Sequence, residues 1–84
     1  MKAIELYNLA LESDIQTYGE SHSEVATTRN NLAGTLRTRN QPKDLIKAIE
    51  LYRLALETMR QVFSDEHPNT IIIAENLRRA EARR

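Results

Sequence analysis

The sequence predicts an all-α fold made of antiparallel helix-turn-helix repeats, about four helices in all. Three observations predict it. Lys2-Ala3-Ile4-Glu5-Leu6-Tyr7-Asn8-Leu9-Ala10-Leu11-Glu12 returns as Lys47-Ala48-Ile49-Glu50-Leu51-Tyr52-Arg53-Leu54-Ala55-Leu56-Glu57, ten of eleven positions identical at an offset of 45. The apolar residues in and beyond these stretches recur at steps of three and four, the helical period. Two glycines and two prolines in 84 residues are too few turn-formers for an all-β chain of this size. The offset also pairs Gln16 with Gln61, Tyr18 with Phe63, His22 with His67, and Asn31-Leu32 with Asn76-Leu77. A period of this length is the signature of a stacked repeat array.

The first helix is expected over about 2–18, with Gly19 just past it, where a left-handed cap costs least. The second is expected over 23–39. Ser21-x-x-Glu24 reads as a capping box ahead of it, and Val25, Leu32, Ala33 and Leu36 are its apolar positions. Asn40 suits a left-handed end, Gln41-Pro42 breaks the helix, and Pro42 suits the first turn of the next. The third helix, over 43–63, carries the longest stripe: Leu45, Ala48, Ile49, Tyr52, Ala55, Leu56, Met59, Val62 and Phe63. The fourth starts at Pro68 and runs to about 82, with Ile71, Ala74 and Leu77 as its expected buried face. Loops this short make neighbouring helices antiparallel. The whole, 1–84, reads as a single domain, alternating two helix types: B, A, B, A.

Composition narrows the function classes. Twelve Lys and Arg balance twelve Asp and Glu, which argues against a globally basic nucleic-acid binder or a polybasic membrane arm. No cysteine is present, so a disulfide scaffold, a Cys-ligated metal and a thiol nucleophile are excluded. The longest apolar run is Ile71-Ile72-Ile73-Ala74, far short of a membrane span. The N-terminus, with Glu5, is not a secretory signal, and a cytoplasmic protein is expected. No serine, histidine and carboxylate fall into a catalytic motif, and no Gly-rich phosphate loop occurs. His22 and His67 repeat at the loop opening each A helix, which suits loop and cap residues. No third ligand accompanies them to make a metal site. The expectation is a non-enzyme with no cofactor and no metal. The pairs Arg78-Arg79 and Arg83-Arg84 lack the nearby aromatics that stack bases, so no nucleic-acid partner is expected.

The motifs Ala3-x-x-x-Tyr7-x-x-Ala10 and Ala48-x-x-x-Tyr52-x-x-Ala55 place small residues one turn either side of an aromatic. Small residues let helices approach closely, and the ring fills the gap beside them. This spacing resembles the second helix of a tetratricopeptide repeat. His22-Ser23-Glu24-Val25-Ala26-Thr27-Thr28-Arg29-Asn30-Asn31-Leu32-Ala33 resembles its first helix, in the long variety of kinesin light chains. His67-Pro68 and Asn76-Leu77 repeat that pattern more weakly. HEAT and armadillo arrays share the period, but they do not account for the alanine–tyrosine–alanine spacing. Two departures stand out. The kinesin-light-chain period is slightly shorter, so extra residues are expected in Asn40–Asp44. Arg78 stands where the previous unit has Ala33, which suggests a polar C-terminal cap.

The resemblance implies that the A helices line a concave surface that holds an extended peptide. It points to Asn30, Asn31 and Arg37 on one A helix and to Asn76, Arg79 and Arg83 on the other. An asparagine amide offers both a donor and an acceptor to a peptide backbone, and Asn31 and Asn76 are the leading candidates for that grip. The plainer reading is that they bond neighbouring helix backbones or water. From Val25 to Lys43 there are three arginines and a lysine and no acid. A basic A-helix layer favours an acidic segment, although basic residues in a last turn also offset the helix dipole. The alternative function is self-assembly as a homo-oligomer. The stripe Ile4, Tyr7, Leu11, Ile15 and Tyr18 is long enough to need cover on two sides.

Overall fold

The computed structural model describes residues 2–84; Met1 of the expected 1–84 domain lies outside them. Four helices follow one another: α1 Lys2–Tyr18, α2 Ser23–Arg39, α3 Asp44–Val62 and α4 Pro68–Ala82. No strand occurs among the described residues, as the all-α repeat reading requires. None of these helices is long and apolar enough to cross a membrane.

The helix ends follow local chemistry. Gly19 closes α1 at φ 87 and Asn40 closes α2 at φ 53, both left-handed, as expected of those residue types. The expected capping box at Ser21 is not what starts α2. His22 is the N-cap, and its Nδ1 accepts the Glu24 backbone N–H at 3.0 Å. His67 caps α4 in the same way, accepting from Asn69 N–H at 3.1 Å. Each imidazole stacks on the aromatic four residues before it, Tyr18 at 4.4 Å and Phe63 at 4.1 Å between ring centres. The ring thus takes the place of the usual hydroxyl or carboxylate acceptor, held by its stacking partner. Pro42 precedes α3 rather than entering its first turn. Lys43 then takes φ 72, a conformation outside the right-handed helix.

The turn from α2 to α3 is pinned by an ion pair. Arg39 Nε and Nη2 donate to the two carboxylate oxygens of Asp44 at 2.7 and 2.8 Å. The Gln41 N–H adds a bond to Oδ2 at 3.0 Å. The Arg39 contact holds the Asp44 carboxyl below its ordinary value of 3.8, outweighing burial, which pushes the other way. A carboxyl lowered in the folded state stabilises the fold above its unfolded-state value. That stabilisation is lost as pH falls through the folded-state value. Asp44→Asn is therefore expected to lower the thermal midpoint at neutral pH. The gap to the parent protein should close progressively below about pH 3.8. Circular dichroism melts across that range check it, and a gap that stays constant would refute the ionic account.

Packing centres on α2 and α3, which share the most extensive contact; α1 packs on α2, and α4 packs on α3 and touches α2. The core comprises Ala26, Leu32, Ala33 and Leu36 from α2, Ala48, Ile49, Leu51, Tyr52, Ala55, Leu56 and Met59 from α3, with Ile4, Ile73 and Ala80 from the outer helices. Val62 and Phe63, expected on the buried stripe of α3, are exposed, while Leu51 and Thr58 are buried. A helix with neighbours on two sides hides more of its circumference than one stripe.

The fourth helix departs from its expected face. Thr70, Ile73 and Ala80 are buried, Ala74 and Leu77 are half-buried, and Ile71 is 49% exposed. Under the 45-residue offset, Ile71, Ala74, Arg78 and Glu81 match Ala26, Arg29, Ala33 and Leu36. All four of those α2 residues are buried, and none of the α4 four is fully buried. The reason is the neighbours: α2 lies between two helices, whereas α4 leans on one side only. The buried Thr70 hydroxyl has no partner among the described residues, and a polar residue type at a buried position conceals the face in the sequence.

Candidate functional site

Asn30, Asn31, Gly34 and Thr38 fall at steps of one, three and four along α2, which puts them on one face of the helix. That face, with Arg37 beside it, lines an open groove of about 490 Å³ together with Tyr7 of α1, Tyr52 of α3 and Asn76 of α4. Gly34 lies over the Tyr52 hydroxyl on the inner side of the groove: a Cβ placed there would make an ordinary contact with it at 3.6 Å. The Tyr52 ring itself is buried in the core. Burial pushes its hydroxyl above the ordinary tyrosine range, and the positive charge of Arg37 opposes that shift.

The amides form the walls. Asn76 Nδ2 donates to Asn30 Oδ1 at 3.1 Å, tying α4 to α2 across the groove. Asn31 is exposed. The hydroxyls of Thr35 and Thr38 donate to the Asn31 and Gly34 carbonyls of their own helix. A second hollow of about 210 Å³ adjoins the first through Asn30, lined also by Thr27, Met59, Asn69, Ile72 and Ile73. Together the surface offers neutral amides, a phenol, one guanidinium and an apolar patch. That chemistry can pair with a peptide backbone and a single anion.

Four of the six residues singled out in the sequence meet here: Asn30, Asn31, Arg37 and Asn76. Arg79 and Arg83 are not among the groove residues. Arg79 lies 3.8 Å from Glu75, which also pairs with Arg78 at 3.6 Å, and Arg83 caps the end of α4. The basic layer is also smaller than a residue count implies. Arg29 is buried against Glu20 at 2.8 Å and Arg39 is spent on Asp44. Tyr7 and Tyr52 line the groove, whereas sequence reasoning assigned them to packing. The available signal was the polar tip, since a tyrosine at a core position must aim its hydroxyl somewhere.

A family model described as tetratricopeptide repeat matches residues 25–69. The chain belongs to the tetratricopeptide repeat family. The matched span takes in α2 from its third residue, all of α3 and the start of α4. It is as long as the 45-residue offset seen in the sequence. In tetratricopeptide terms, α2 and α3 form one complete helix pair. α1 repeats the second member of that pair, and α4 repeats the first. Repeats of this family serve protein–protein interaction, and the groove lies on its first-helix side. No curated protein matches the chain.

Proposed function

We propose that this tetratricopeptide repeat protein holds an extended, acidic segment of a partner protein in the groove on α2 and carries out no chemistry of its own. The observation that carries this reading is the convergence of Asn30, Asn31 and Asn76 with Arg37 on one open surface. The amides would bond the segment's backbone and Arg37 a carboxylate. Arg79 and Arg83 would act only as distant positive charge. The kinesin-light-chain likeness is part of the proposal, supported by Asn30-Asn31-Leu32-Ala33 followed by Ala48-x-x-x-Tyr52-x-x-Ala55-Leu56.

The test is charge reversal. Arg37→Glu is expected to weaken binding to an array of acidic peptides by about tenfold or more, since hydrogen bonds to charged groups are worth about 1.5–3 kcal/mol. Arg53→Glu, at a position outside the groove, should change it little. Fluorescence anisotropy reads both, and equal losses at the two positions would defeat the groove reading.

One observation favours a second reading, self-association through α1. Leu6 is 56% exposed on α1, whereas Leu51, its equivalent on α3, is 5% exposed. Light scattering over a hundredfold range of concentration separates the readings. A mass that rises with concentration supports assembly, and a constant monomer mass dismisses it.

A further inference from the structure

We infer that a second copy of this chain docks on the outer side of α1 and α3, antiparallel to the first, independently of what the groove binds. The net charge is zero, but the fold sorts it. In an antiparallel stack the starts of α1 and α3 lie beside the ends of α2 and α4. Arg84 accordingly borders one hollow with Ile46 and Ile49, and Glu20 another with Glu57 and Gln61. With each helix divided at its midpoint, the end holding the α2–α3 turn has nine Lys and Arg against four Asp and Glu, a net of five positive. The end holding the other two turns has two against seven, a net of five negative. Arg53 and Glu75, at midpoints, cancel. Helices of 15 to 19 residues are about 23–28 Å long at the helical rise. The Debye length is only about 8 Å at physiological ionic strength. Each end therefore shows a partner its own field and not the neutral sum.

The sign pattern names the occupant. Two copies side by side and antiparallel set the basic end of each against the acidic end of the other. Both ends are used, so the pair closes on a twofold axis, whereas end-on contacts would go on growing. The apolar contact lies between the ends. Leu9 and Leu54 hold equivalent positions near the midpoints of α1 and α3 and are 63% and 45% exposed. Each comes two residues after a groove tyrosine, Tyr7 or Tyr52, about 200° round the helix and so away from the groove. Lys2 and Glu12 flank Leu9 as Lys47 and Glu57 flank Leu54, seven residues before and three after, on one helix face. An antiparallel copy brings lysine towards glutamate on both sides of the leucines. Glu5 and Glu50 share that face and are already counted in the net charge of the basic end. The contact takes in both B helices, whereas self-association through α1 needs only one.

The experiment is light scattering of the whole chain up to millimolar concentration, in about 10 mM and about 1 M salt, where the Debye length is about 30 and 3 Å. In low salt the mass is expected to rise to that of a dimer and level off. High salt should weaken the dimer by about tenfold or more. The deciding variant moves charge between the ends: Lys2→Glu and Lys47→Glu with Glu12→Lys and Glu57→Lys. All four residues are exposed, and none has an ion-pair partner among the described residues. The net charge stays at zero, while the ends fall to seven bases against six acids and four against five. This variant should keep the parent's far-UV circular dichroism and remain a monomer in both salts. If it loses its helical signal, the salt dependence of the parent decides alone. A parent mass that stays monomeric in low salt, climbs past the dimer, or matches that of the folded variant overturns the inference. Association that survives high salt also overturns it and belongs to the apolar face of α1. The groove reading stands in every case, since its residues are untouched.

Discussion

Tyr52→Ala is expected to lower the urea midpoint sharply, while Tyr52→Phe leaves the fold intact. Tyr52 is the largest of the fully buried side chains and sits in α3, the helix that contacts both α2 and α4. Removing a buried aromatic costs about 3–5 kcal/mol through lost burial and the cavity left behind. At about 0.05–0.15 kcal/mol per residue, a chain of 84 residues has roughly 4–13 kcal/mol of stability in total. The alanine variant therefore loses a large share of it. The phenylalanine variant keeps the ring and removes only the hydroxyl at the groove floor. Urea titration followed by far-UV circular dichroism gives the two midpoints. A Tyr52→Ala midpoint close to that of the parent protein would mean that the ring is not what joins the helices.

The second large effect is a reciprocal exchange. Ala33 and Arg78 hold equivalent positions in the two A helices, yet Ala33 is fully buried and the Arg78 side chain is 73% exposed. Ala33→Arg forces a guanidinium into the core beside α3 with no carboxylate waiting for it. An uncompensated buried charge costs about 3–5 kcal/mol, and the added volume costs more. Arg78→Ala gives up only a 3.6 Å surface pair with Glu75, worth about 0–1 kcal/mol, and gains some helix propensity. Thermal melts should show a collapse for the first and a shift of a few degrees at most for the second. Similar behaviour of the two variants would mean that the helices do not have the different surroundings described.

The sequence carries the helices and their order because the repeat states them twice and the period of three and four states their type. Gly19 and Asn40 were legible as left-handed caps because few residues tolerate that conformation. Thr70 and Ile71 were not legible in the same way. The repeat aligns α4 with α2, but burial depends on how many neighbours a helix has, and alignment is silent on that. The groove was half legible. Asn30, Asn31, Arg37 and Asn76 followed from the resemblance to tetratricopeptide first helices. Arg79 and Arg83 lie further along α4, beyond the groove. Arg29 and Arg39 lost their apparent freedom to Glu20 in the preceding turn and Asp44 at the start of α3, which no helical spacing connects to them.

The near-identity of α1 and α3 has a consequence for how the fold comes apart. Lys2–Glu12 and Lys47–Glu57 are almost one peptide placed in two surroundings, one with a single helical neighbour and one with two. Their intrinsic helix tendencies nearly cancel, so any difference in local persistence between them belongs to the neighbours. In an array where each element touches only the next, stability is a sum of unit and interface contributions. Opening then begins where interfaces are fewest. Of these two near-copies α1 therefore loosens before α3, and the groove borrows its rigidity from the α2–α3 pair, which shares the most extensive contact.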